Sequence, residues 1–118
     1  MYKFPKNFNA NVFIDHILEM ICFNVNQATL HFSGSISICA GGPFEFQKSP
    51  NTGEVEIVDF PTAQSDLMQL LECSVSQVFL ENEDTLTLVF DNSQRLRFLP
   101  DSSYESYHLN IDGGTITI

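Results

Sequence analysis

The chain has no tryptophan and only five lysines and arginines, against fifteen aspartates and glutamates, for a net charge of -10. Binding DNA or RNA requires basic side chains that neutralise phosphate, so this balance argues against a nucleic-acid partner. No apolar run reaches about 18 residues, so no membrane span is expected. The opening MYKFPKNFNANVF lacks the apolar stretch and cleavage site of a secretory signal. Cys22, Cys39 and Cys73 are an odd number, and none falls in a CxxC or Cys/His metal spacing. They read as buried free thiols, which fits a reducing cytoplasm. The nucleophile elbow, P-loop, dinucleotide fingerprint and HExxH zinc motif are all missing, so neither an enzyme nor a cofactor is expected.

Eleven phenylalanines and a hydrophobic content of 43% are present, enough to build a core in one domain spanning 1–118. The clearest pattern is Thr85–Pro100, TLTLVFDNSQRLRFLP. Leu86, Leu88, Phe90, Leu96 and Phe98 alternate with Thr85, Thr87, Val89, Arg95 and Arg97. That period of two describes a hairpin with one apolar face. Thr29–Ile38 repeats the design, with Leu30, Phe32, Ile36 and Ile38 on one side and Thr29, His31, Ser35 and Ser37 on the other. Ser33-Gly34 reads as its two-residue primed turn. Strands are also expected from about Ile17 to Phe23, over Phe44–Gln47, weakly over Glu54–Phe60, over Val75–Glu81, over Tyr104–Ile111 and over Thr115–Ile118. A turn or short helix is expected around Asn11–His16, after an extended arm that Phe4 and Phe8 are placed to pin.

One helix is expected over Pro61–Cys73. Thr62 suits the N-cap, Asp66 sits where the helix dipole favours an anion, and Ala63, Leu67, Leu70 and Leu71 share a face. Residues 17–39 and 75–99 each read as strand, turn, strand, loop, strand, with helix 62–73 between them. Any β-meander looks like this, and a duplicated three-strand unit looks the same. On either reading the expected fold is α+β: antiparallel β-meanders with one helix packed on the sheet.

Gln77–Leu109 carries L-T-L-x-F, then R-L-R-F, then P-D-x-x-Y-E-x-Y-H-L. This resembles small, uncharacterised bacterial proteins that end in a hydrophobic strand, a Pro-Asp turn and a Tyr-Glu-x-aromatic segment. Pro100, Asp101, Tyr104, Glu105 and Tyr107 carry the match, with Tyr107 where Trp is commoner. The resemblance implies no activity. In size and charge the chain also resembles the immunity proteins encoded beside bacterial toxins.

His16, His31 and His108 are scattered, and no carboxylate or cysteine lies at ligand spacing beside them, so no metal is expected. Glu105 is placed to pair with Arg95 or Arg97, and a tyrosine of the same segment to close the core edge. The acidic residues Glu81, Glu83, Asp84 and Asp91 around the central hairpin, with Glu54, Glu56, Asp59 and Glu105, are the candidate partner-binding set. They are solvated surface by default; the sharper reading is an acidic face for a basic protein partner. A cognate immunity protein that neutralises a bacterial toxin domain in the cytoplasm is the expected function, as a monomer or weak homodimer. The alternatives are a β-module that oligomerises through exposed strand edges, and a small Cys/His-dependent enzyme.

Overall fold

A computed structural model describes residues 8–49, 55–59, 66–82, 84–99, 107–111 and 114–117. The expectations for residues 1–7 including Phe4, for Glu54, Glu83 and Glu105, and for Pro61, Thr62 and Ala63 lie outside the described residues. Among the described residues ten strands form: β1 (Leu18–Phe23), β2 (Ala28–Phe32), β3 (Ile36–Ala40), β4 (Phe44–Gln47), β5 (Glu56–Val58), β6 (Val75–Glu81), β7 (Thr85–Phe90), β8 (Arg95–Phe98), β9 (Tyr107–Ile111) and β10 (Gly114–Thr117). They make two antiparallel five-stranded sheets, in the orders β1-β2-β3-β9-β10 and β5-β4-β8-β7-β6.

The alternation read from the sequence explains why the sheets stack. Leu30, Phe32, Ile36, Ile38 and Leu109 of the first sheet are buried together with Phe44, Phe46, Leu86, Leu88, Phe90, Leu96 and Phe98 of the second. Aromatic rings bridge the layers. Phe32 stacks on Phe90 at 6.4 Å, and Phe98 meets Tyr107 edge-on at 5.3 Å. The Tyr107 hydroxyl donates to the Pro43 carbonyl at 2.7 Å, fastening the crossover between β3 and β4.

The α+β expectation is wrong on its helical half. Among the described residues the only helical turns are 3-10 turns, at Ala10–Phe13, Ser33–Ser35 and Asp66–Leu70. The leucine spacing behind the expected helix has another cause. Leu67 and Leu70 lie three apart and stack above one another in a 3-10 turn, which buries both without a longer helix. Glu72, at φ 70°, then turns the chain away. With each sheet covering the other, no helical layer is needed to hide an apolar face.

The halves are interlocked. A three-strand meander (β1–β3) lies in the first sheet and continues as β4–β5 in the second. A second meander (β6–β8) lies in the second sheet and continues as β9–β10 in the first. A pseudo-two-fold axis runs through the isolated antiparallel bridge Ile17–Ser74. Around it the backbone bonds come in matched pairs. Asp15 N donates to Val75 O at 2.8 Å, and Glu72 N to Leu18 O at 2.9 Å. Leu18 N donates to Cys73 O and Val75 N to His16 O, both at 3.0 Å. Each meander follows a 3-10 turn, each has a left-handed acidic residue (Asp15 and Glu72, both φ 70°), and each first strand is irregular at its start.

The β2–β3 loop has three residues rather than two, with Phe32 opposite Ile36. Gly34 at φ 75° is forced by its neighbour: a Cβ there would stand 2.6 Å from His16 Cε1. That ring is held by Ser33, whose carbonyl accepts from His16 Nδ1 at 2.8 Å.

Two stability outcomes are expected from urea unfolding. Phe90→Ala, which opens the stack between the layers, should cost about 3–5 kcal/mol. Gly34→Ala should cost about 1–3 kcal/mol, and should cost measurably less in a His16→Ala background, because the clash is then gone.

Candidate partner-binding face

The second sheet turns an unusual face outward. Strand pairing sets Glu45 beside Arg97, Arg97 beside Thr87 and Thr87 beside Phe79 in one row across the sheet. In the next row Gln47 lies beside Arg95, Arg95 beside Val89 and Val89 beside Gln77. Arg95 and Arg97 are two apart on β8, so both point to this side, about 7 Å apart along the strand. They are the only arginines in the chain. Together with Glu45, Gln47, Val55, Phe79, Glu81 and Thr87 they line a groove of about 280 Å³. Long side chains lie over β7, which is why Thr85, Thr87 and Val89 are buried on what is nominally the solvent side.

The charges in the groove are loosely matched. Arg97 lies 3.7 Å from Glu45 and 3.8 Å from Glu81, too far for good hydrogen bonds. Arg95 reaches no carboxylate among the described residues, and its Nε is buried with no acceptor. A buried donor left unmade costs about 1–3 kcal/mol. The remaining described cation, Lys48, pairs with Asp66. The rim is apolar: Phe79 is 46% exposed, Val55 44% and Ile57 59%.

The pseudo-symmetry supplies an internal reference for this face. Pairing places Ser37, Cys39, His108 and Asn110 on the first sheet where Arg95, Arg97, Glu45 and Gln47 stand on the second. Likewise Cys22 stands where Phe79 does. The fold is thus built with serine, cysteine, histidine and asparagine at one set of positions and with two arginines, a glutamate and a glutamine at the other. The cluster is no requirement of the architecture.

The acidic residues do not form one patch, as the hairpin reading already implies by placing Glu81 and Asp84 at one end and Asp91 at the other. Glu81 belongs to the groove. Asp84, half-buried in the β6–β7 turn, accepts from Thr85 Oγ1 at 3.1 Å. Asp91 lies at the far end of β7 and accepts from Ser74 Oγ at 3.1 Å. Glu56 and Asp59 lie on and beside the edge strand β5, and Glu56 Oε2 is buried with no partner. Glu54, Glu83 and Glu105 are outside the described residues. Sequence reasoning passed over the groove's centre: Arg95 and Arg97 read only as structural partners for Glu105. Their signal was scarcity, since two of five basic residues occupy alternate positions of one strand.

The thiols need correction as well. Cys22 is exposed, and Cys39 and Cys73 are only half-buried. Partial burial pushes the Cys73 thiol above its ordinary range, and the negative charge and hydrogen bonding of Asp91 push it further the same way. His31 and His108 lie on strands separated by β3, and no group of three or more His, Cys, Asp or Glu among the described residues is placed to hold a metal. His16 Nδ1 is 3.2 Å from Ser33 Oγ, but that same nitrogen bonds the Ser33 carbonyl at 2.8 Å. It must carry a proton to do so, and cannot then take one from the hydroxyl. No helix among the described residues is long and apolar enough to cross a membrane.

Comparison with protein-family profiles, with curated proteins and with solved structures finds no match for this chain.

If the groove's charges serve binding rather than folding, removing one should scarcely touch stability. Arg97→Met keeps the stem over Thr87 and loses only two long, solvated ion pairs. Its unfolding free energy should change by less than about 1 kcal/mol in urea titration.

Proposed function

We propose that this is a binding protein that docks a basic protein partner on the outer face of its second sheet. In its most concrete form it is an immunity protein that neutralises the toxin domain encoded beside it in a bacterium, acting in the cytoplasm. The observation that carries the reading is the asymmetry of charge between two equivalent faces: Glu45, Arg95 and Arg97 stand on one where His108, Ser37 and Cys39 stand on the other, while exposed apolar side chains occur on both, Phe79 on the one and Met20 on the other. Arginine and aromatic side chains are enriched where binding energy concentrates, and the contacts around them keep water from the charges once a partner is seated.

The net charge of -10 adds a second element. A field of that sign draws basic proteins in and speeds encounter, while the groove decides which of them is held. The role is recognition, with no chemical step assigned to any side chain. A toxin would be blocked by the bulk of the docked sandwich over its active site or substrate groove.

Calorimetry with the product of the adjacent gene tests this. A complex is expected at low ionic strength, weakening as salt screens the encounter. Phe79→Ala should lower its affinity by about tenfold or more, the usual cost of losing an aromatic anchor. No complex at low salt, or full affinity in Phe79→Ala, would count against the reading.

A further inference from the structure

We propose that Arg95 is a recognition residue for a carboxylate, the aspartate or glutamate side chain of the protein that docks on this face. The inference rests on the reading above and sharpens it. A chain with fifteen acidic residues has carboxylates to spare, yet among the described residues none reaches Arg95. Arg97, two residues away, is flanked by Glu45 and Glu81, so the two guanidiniums of one groove stand in opposite states, one matched and one unmatched. Around Arg95 the sheet offers Gln47 and Val89, an amide and a methyl surface, where the neighbouring row offers Glu45 and Thr87. Its Nε is buried without an acceptor, so the side chain is neither solvated along its length nor satisfied from within.

A carboxylate is the group that fits. It is planar, carries a single charge and meets a guanidinium fork through two parallel hydrogen bonds. A doubly charged phosphate would stand beside Glu45 and Glu81 in a strongly negative molecule. A groove of about 280 Å³ admits one side chain rather than a folded element.

The arrangement also explains how so acidic a protein can be selective. Its field attracts any basic protein, and attraction alone discriminates poorly. A basic protein with no carboxylate at this point would bury the Arg95 charge without an answer, and the complex would be penalised. The correct partner supplies the missing anion. Charge sets the encounter, and one inverted pair sets the register.

The test has two arms. In the first, the Nε–H resonance of Arg95 in the full chain is followed by NMR during titration with N-acetyl-glutamate methylamide. A saturable shift is expected, at roughly tens of millimolar as suits a single charge-assisted contact. The glutamine analogue should give none. No shift by about 100 mM, or an equal response to inorganic phosphate, would overturn the assignment. In the second arm, the adjacent gene product is titrated into Arg95→Gln and Arg95→Lys, with thermal melts to show that both variants fold. Gln should weaken binding by about tenfold or more, and Lys, which keeps the charge but loses the fork, should recover part of it. A complex that forms at full affinity with Arg95→Gln removes this site and leaves the docking reading intact. If the wild type binds no neighbour while Arg95 still takes the blocked glutamate, the docking reading falls and the carboxylate site stands.

Discussion

The antiparallel contact at Ile17 and Ser74 is the constraint on which this fold turns. Four backbone hydrogen bonds surround it in two symmetric pairs, joining the start of one meander to the start of the other. With both chain segments held there, each meander runs outward in its own sheet, and each must place its last two strands beside the other meander's third strand. β3 then receives β9, and β8 receives β4. Neither sheet is complete without strands from both halves, so the two layers form together. Removing apolar surface from water does the rest, since the faces brought together carry the phenylalanines and leucines.

The same interlocking explains what was legible in the sequence. Within β2, β3, β7 and β8 the apolar period of two is clean, because one face of each packs on the opposite layer, and those strands stand where the pattern placed them. The segment around Leu67, Leu70 and Leu71 was misleading for a physical reason. Leucines three and four apart satisfy a helical stripe, but they satisfy a single tight turn equally well when that turn is pressed into a core. The exchange of strands between sheets was not legible at all. It rests on pairings such as Ile38 with Leu109, 71 residues apart in the chain, that leave no trace in local periodicity.

The candidate face was hidden for a different reason. Acidic residues are so abundant here that their positions carry little information, and the structure spreads them over both ends of β7 and the edge at β5. The scarce charge is the informative one. In a chain with five basic residues, two arginines at alternate positions of an inner strand must lie side by side on one sheet face, and every charge near them is read against them. Scarcity marked the site, but only strand order could show that Glu45 and Glu81 flank Arg97 and that no carboxylate among the described residues flanks Arg95.

The two outer faces together make the functional argument stronger than either would alone. A charged cluster on a sheet can always be ascribed to solubility or to cross-strand pairing. That explanation fails where the same backbone, related by a pseudo-two-fold axis, is built with Ser37, Cys39, His108 and Asn110 at the corresponding places. Solubility does not call for arginine in an already highly charged molecule, and cross-strand pairing does not call for a guanidinium with no carboxylate beside it among the described residues. The exposed phenyl ring of Phe79 does not by itself set this face apart, since Met20 is equally exposed on the other; the charges do. These features lie around one groove, and that clustering is what supports the proposal that this face takes a partner.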